Sequence, residues 1–342
     1  MIRVINDIHA DPARVGGTTE ASREALQSYT VNKFVNLLYA SKDADYLIIL
    51  GDLFNKARAD NWTFLEVYDA ITDFIASAPD CKVILVRGNH DSKSKERQNI
   101  CSLELLAEIL LGQVTFVFDE PYQFQHEGKF HLIVPHMFNQ EQFDAELSEV
   151  DSNVDFLYLH ANIDNSFSVG DHSLNVSKDQ IKTLNDKGVT VICGHEHQRR
   201  RPFPNVHVIG NQFPTSIADC RGNAEKFMLT IKDGQISKER AWSAAGNYYD
   251  VPVELLDTVP DTAQFVRVGG EVAKADFAKV IQEVDKFRRR SSAFVVSNAV
   301  SVTVENQVLR AEEVTNINVV ELLIKAVPEQ YRERVAACRS AN

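Results

Sequence analysis

The chain is punctuated by short, mainly apolar runs at residues 2–5, 46–50, 82–86, 156–159 and 189–192, rich in Val, Ile, Leu, Tyr and Phe. Runs of this length and composition predict buried strands. Between and beyond them, apolar residues recur at helical spacing near 22–40, 63–77, 103–111, 140–147 and 177–186. Further strands are predicted near 114–118 and 130–134, and residues 206–242 read as strand-rich, with turns at Arg221-Gly222-Asn223 and Asp233-Gly234. Strands alternating with helices imply an α/β layered core.

After Asn247 the pattern changes. Residues 251–255 and 265–268 predict strands, and 275–290 an amphipathic helix with Phe277, Val280, Ile281, Val284 and Phe287 on one face. Residues 294–304 then alternate like a strand or hairpin. From Asn316 onward, Ile317, Val319, Val320, Leu322, Leu323, Val327, Tyr331 and Val335 form an apolar stripe on two short helices, with Pro328 placed to start the second. The expected organisation is a core at 1–247, a small α/β domain at 248–314 and a helical tail at 315–342. Such a stripe either folds back on its own chain or docks on a partner helix.

Each of the five strand runs ends at residues that bind metals. The segments are Asp7-Ile8-His9, Gly51-Asp52, Gly88-Asn89-His90-Asp91, His160 and Gly194-His195-Glu196-His197. Strand ends are rigid platforms, and the loops beyond them can turn ligands into a shared cleft. Two cations about 3.5–4 Å apart can clamp a phosphoryl group and acidify a water, and a carboxylate must lie between them. Asp52, preceded by a glycine, is the expected bridge. Mixed oxygen and imidazole donors suit Mn, Fe or Zn better than a hard all-oxygen cage. Taken singly, Gly-Asn-His-Asp can be a turn and His160 a core histidine; the ordered conjunction points to one site. His126, His131, His136, His172 and His207 fall outside the pattern, and His136, after Pro135, is the one best placed to face the cleft.

With these five blocks in this order, the chain resembles the calcineurin-like metallophosphoesterases. The resemblance implies a two-sheet β-sandwich flanked by helices. It also implies that Asp7, His9, Asp52 and His197 hold one divalent metal ion, and that Asp52, Asn89, His160 and His195 hold the other. His90 is then the group that protonates the leaving oxygen or steadies the phosphoryl charge, with Asp91 orienting its ring. A narrower likeness, carried by Gly51-Asp52-Leu53-Phe54, by Gly88-Asn89-His90-Asp91-Ser92 and by the order of elements after Gly194, is to the SbcD-type DNA repair nucleases, and in length and layout to bacteriophage SbcD-like recombination subunits. That likeness implies a small α/β domain that caps the site and guides DNA, and a tail docked on an SbcC-like coiled-coil ATPase. Two segments depart from it: Ala10-Asp11-Pro12 follows the first block, and Asn55-Lys56-Ala57-Arg58 follows Phe54.

Composition changes this picture in one place. With 44% hydrophobic and 25% charged residues the chain is ordinary for a globular protein. It has no eighteen-residue apolar run, and the first strand begins at once, so neither a membrane span nor a cleavable signal peptide is expected. Five cysteines without paired spacing suit a reducing, cytoplasmic compartment, a bacterial host's cytoplasm for a phage protein. The formal net charge of −12, however, opposes DNA binding. Bound dications would reverse the field in the cleft, and Lys93, Lys95 and Arg97 and the run Arg199, Arg200 and Arg201 lie beside ligand motifs as a candidate phosphate-contacting rim, or as solvated loops.

The resulting expectation is a DNA nuclease using two divalent ions, Mn2+ first, with Fe, Zn or Mg as alternatives, in complex with an SbcC-like ATPase; a homodimer is also compatible. The alternatives are a free-standing phosphodiesterase acting on nucleotides or small phosphoesters, and a metal-stabilised binding module without turnover.

Overall fold

The computed structural model describes residues 1–11, 17–92, 100–165 and 173–303. Two six-stranded sheets form its centre. The first runs Gln235–Ser243, Glu225–Lys232, Ile2–Ile5, Tyr46–Leu50, Lys82–Val86, Thr115–Val117. The second runs Arg200–Phe203, Val206–Val208, Thr190–Gly194, Phe156–His160, Lys129–Val134, Tyr122–His126. The middle strands of both sheets are parallel, as is the Thr115–Val117 edge of the first, whereas the other edges are closed by antiparallel partners.

The period-two rule of a strand explains the layering. In Tyr46–Leu50, Leu47 and Ile49 pack with Leu26 and Phe34 of helix Glu20–Ala40 and with Val67 and Ile71 of helix Asn61–Ser77. The alternate residues, Ile48 and Leu50, face the other sheet and meet Tyr158 and Ile192. The second sheet repeats the logic: Leu157, Leu159 and Val191 pack with Phe143 of helix Gln140–Ser148 and with Ile181 and Leu184 of helix Lys178–Asp186. Both faces of each central strand are therefore buried, which is why these strands read as continuous apolar runs. The outcome is the expected α/β two-sheet sandwich flanked by helices.

Several elements differ from the sequence expectation. Tyr122–His126 forms an edge strand hairpinned to Lys129–Val134 through Glu127 and Gly128, both at positive φ. Arg200–Phe203 is an edge strand rather than a loop. Of the strand expected at 251–255, residues from Val253 onward instead enter a 3-10 turn, Val253–Thr258, after the strand Tyr248–Pro252.

Tyr248–Pro252, Phe265–Gly269 and Val295–Asn298 make a parallel three-stranded sheet. Phe265 and Val295 share a core with Tyr29 and Phe213, and the Tyr29 ring lies 4.7 Å from that of Phe294. By packing, Met1–Gly270 and Ala278–Ser301 form one compact unit, and a second includes Glu271–Phe277. Helix Phe277–Arg290 buries Val280, Val284 and Phe287, as its spacing predicts. The tail, residues 315–342, lies outside the described residues. Among the described residues no helix is long and apolar enough to cross a membrane, and Cys81, Cys101, Cys193 and Cys220 are buried free thiols.

Candidate metal centre

The carboxyl ends of strands from both sheets meet at one point. Asp7, His9, Asp52 and His195 all have positive φ, 49°, 46°, 52° and 80°. Such backbone costs about 1–3 kcal/mol per residue and persists only where the surroundings over-determine it. Here two loops zip together: Asp7 N donates to Gly51 O (3.1 Å), His9 N to Asp52 O (3.0 Å) and Ala10 N to Leu53 O (3.0 Å). Gly51 and Gly88 permit the close approach, since a Cβ on Gly51 would strike the His160 ring and one on Gly88 the Asp52 carboxylate.

All seven ligands expected from the sequence come together. Asp52 Oδ2 lies 3.8 Å from His9 Nε2 and 3.2 Å from His160 Nε2, between two sets of donors. On one side His9 Nε2 faces His197 Nε2 at 3.0 Å and Asp7 Oδ1 at 4.0 Å. On the other, Asn89 Oδ1 lies 3.1 Å from His160 Nε2 and 2.9 Å from His195 Nδ1. Asp7, His9 and His197 form one group able to hold a metal ion, and Asp52, His160 and His195 form another.

The hydrogen bonds facing away from the cleft identify which atoms are lone-pair donors. His160 Nδ1–H donates to Leu50 O (2.9 Å), and His197 Nδ1–H to Asp219 Oδ1 (2.7 Å). Both Nε2 lone pairs are thereby turned inward, toward carboxylate and amide oxygens that are also acceptors. Asp7 Oδ1 is buried without a hydrogen-bond partner. With the imidazoles neutral, these converging nitrogen and oxygen atoms are a donor set that fits divalent ions.

The proton affinities report the same field. Burial disfavours charge on His160, yet Asp52 raises its pKa to about 9; His197 is likewise raised to about 9 by Asp219 against burial. Burial also opposes ionisation of Asp52, but His160 holds its carboxyl well below the usual range. His9 and His195, without such a partner, are pushed down to about 3 chiefly by burial.

His90 sits beside this cluster, its ring 4.9 Å from that of His9. Its backbone N donates to Asp52 Oδ1 (2.9 Å) and its Nδ1 is 2.7 Å from Asn55 O. The expected Asp91 contact is corrected here. Asp91 accepts from Phe54 N (3.1 Å) and Gly88 N (3.0 Å), tying the second and third motif loops together, while the Asn55 carbonyl orients the His90 ring. Burial and then Asp52 raise the Asp91 pKa to about 6.

The basic run is partly engaged elsewhere. Arg200 forms a two-pronged pair with Glu196 (2.6 Å each) and also donates to Ile163 O, so its charge is neutralised within the fold. Arg201 donates to Pro204 O, and the Arg199 guanidinium lies 5.0 Å from the Phe227 ring centre. Lys93, Lys95 and Arg97 lie outside the described residues.

Sequence reasoning missed several supporting residues. Asp219 anchors His197 with one oxygen, and its other oxygen accepts from Thr215 N and Ser216 N at 2.9 and 3.0 Å. Its one sequence signal is the capping pattern Ser216-x-x-Asp219. Asn6 donates to Asp7 Oδ2 and is itself fixed by Gln212, whose Nε2 donates to Asn6 Oδ1 at 2.8 Å. His136, which the sequence singles out among the outlying histidines, is buried, its Nδ1 is without a partner, and its carbonyl is clamped by Arg87 at 2.8 and 3.1 Å.

A family model described as calcineurin-like phosphoesterase matches residues 1–199. No curated protein matches the sequence. Among solved structures, similarity is found to an archaeal phosphodiesterase, at 13% identity over 70% of this chain and 98% of that one with a TM-score of 0.34. A dimetal phosphatase from Danio rerio is similar at 11% identity over 71% and 96%, TM-score 0.40. A purple acid phosphatase from yellow lupin seeds is similar at 12% identity over 70% of this chain and 51% of the plant enzyme, TM-score 0.40.

Proposed function

The chain belongs to the calcineurin-like phosphoesterases, a family of metal-dependent phosphoester hydrolases, and from that membership we propose that it is a two-metal phosphodiesterase that cuts DNA, at ends, internally or both. Asp7, His9, Asp52 and His197 would hold one ion and Asp52, Asn89, His160 and His195 the other, with Mn2+ the first candidate for this donor set. When bound, such a pair supplies positive charge to the phosphoryl oxygens and acidifies the attacking water.

His90 is the observation that carries the reading. Its Nδ1–H donates to the Asn55 carbonyl, which fixes the ring beside the cluster. That leaves Nε2 as the ring atom free to pass a proton to the departing sugar oxygen, a poor leaving group that requires one. Asn89, held between His160 and His195, places its amide beside the same charge.

The SbcC-like ATPase partner is supported by the sequence likeness and by the apolar stripe of residues 317–335. Deleting residues 315–342 should abolish co-purification with that ATPase while small-substrate turnover persists; precipitation or loss of metals on deletion would place the tail in the core fold. A free-standing phosphodiesterase for small phosphoesters is the second reading, favoured by the net charge of −12 and by the internal pairing of Arg200. Mn-dependent cleavage of end-labelled linear DNA, compared with a cyclic nucleotide, separates the two. Turnover of the cyclic nucleotide alone would replace the nuclease reading with the second.

A further inference from the structure

The two sheets part at one edge of the sandwich, where Arg200–Phe203 and Val206–Val208 of one sheet face Glu225–Lys232 and Gln235–Ser243 of the other. A cavity of about 260 Å³ opens there. Its walls include Ile209, Leu229 and Ile236, which continue the inter-sheet core, and Val208. Its mouth carries Arg199, Arg201 and Lys238 beside the Glu196-paired Arg200, and the Phe227 ring forms an aromatic side with Arg199 and Lys238 at 5.0 and 4.3 Å from its centre. No carboxylate lines it, and none pairs with Arg199, Arg201 or Lys238 among the described residues, in a chain whose formal charge is −12.

An apolar slot with a cationic mouth selects a ligand that is flat and apolar at one end and anionic at the other. The volume lies near the lower end of small-ligand pockets, roughly 300 Å³ upward, and so admits a single planar group. Position narrows the class. Arg199 is two residues beyond His197, a span of at most about 7 Å of chain, so the mouth shares a chain segment with the metal centre. We propose that the cavity takes one unpaired nucleobase of a single-stranded DNA segment, with the flanking phosphates on Arg199, Arg201 and Lys238. The inference rests on the DNA-cleaving reading and adds a subsite to it. Base capture of this kind uses an aromatic side and apolar walls and is tolerant of sequence.

Lys238 tests the inference, since it lies on an exposed edge strand and has no part in the metal centre. In the full-length, Mn-loaded enzyme, Lys238→Glu should raise KM for a single-stranded oligonucleotide about tenfold and leave kcat within about twofold. Lys238→Met, which keeps the aliphatic stem, should raise it by about threefold and flatten the salt dependence by up to about one unit of slope. Hydrolysis of an aryl phosphodiester should not change. Phe227→Ala should erase a preference for oligonucleotides bearing bases over those with an abasic site at the same position. Unchanged oligonucleotide KM in both Lys238 variants, with wild-type DNA cleavage intact, overturns the inference alone. Equal losses on the aryl phosphodiester assign Lys238 to the fold and overturn it as well. Absence of any wild-type oligonucleotide cleavage, with aryl phosphodiester turnover present, overturns the nuclease reading and this inference with it.

Discussion

His197 donates its Nδ1 proton to Asp219 Oδ1 across 2.7 Å, and this turns its Nε2 toward His9 Nε2, 3.0 Å away. Asp219 is held in turn by the backbone N–H groups of Thr215 and Ser216, so the short helix Ile217–Gly222 orients a histidine of the candidate metal centre 22 residues earlier in the chain. Carboxylates in this position orient the imidazole and raise its basicity. Asp219→Asn should therefore weaken metal affinity by about 10–100-fold and leave the fold intact, as read by calorimetric titration of Mn2+ into the apo protein. Unchanged affinity would show that His197 needs no orientation from Asp219.

His90 gives a prediction that separates ligation from proton transfer. His90→Ala should retain the wild-type metal content and lose about 10² to 10⁴-fold in DNA cleavage. An aryl phosphodiester, whose leaving group departs without a proton, should lose far less. Equal losses on both substrates would leave charge stabilisation as the role of the ring.

The glycine contacts predict a structural failure at the centre of the site. A methyl group on Gly88 has no place to go except onto the Asp52 carboxylate and backbone. Gly88→Ala should lower the thermal midpoint of the metal-free protein and deplete bound metal, whereas Gly112→Ala, with open space around its Cβ, should keep full metal content. A Gly88→Ala protein with full metal content would contradict the packing described here.

Much of this centre is legible in the sequence because its ligands sit at strand ends. An apolar run followed by Asp-x-His or Gly-Asp states both the platform and the donor. Asp219 was illegible because its local signal is that of a helix cap; its partner His197 is reached through the tertiary fold. Asp91 misleads for another reason: the family resemblance implies that it orients the His90 ring, but the loop turns its carboxylate toward the amides of Phe54 and Gly88. Arg200 read as part of a basic rim, yet four residues earlier Glu196 supplies its counter-charge once the segment is extended. The Tyr122–His126 strand alternates Tyr-Gln-Phe-Gln-His, a half-exposed edge pattern without the apolar run that marks the central strands.

His131 provides a pH prediction away from the metals. Its ring is stacked between Phe124 (4.8 Å) and Phe156 (5.1 Å), and Nδ1 is 2.9 Å from the Tyr158 hydroxyl. Burial, followed by the nearby His126, lowers its pKa to about 4, against about 6.5 in the unfolded chain. The unfolded state thus binds the proton first as pH falls. Stability present above about pH 6.5 should be lost progressively down to about pH 4, on the order of 2–3 kcal/mol in all. His131→Phe should reduce the drop in urea midpoint between pH 7.5 and pH 5 in the metal-free protein. An identical drop in the variant would place the acid sensitivity elsewhere.

The central claim is that Asp52 lies between two metal ions. Metal analysis of the purified wild type and of Asp52→Asn tests it most directly. The account predicts two divalent ions per chain in the wild type and at most one in Asp52→Asn, because the neutral amide no longer screens two dications from each other. Two ions per chain retained in Asp52→Asn would contradict it.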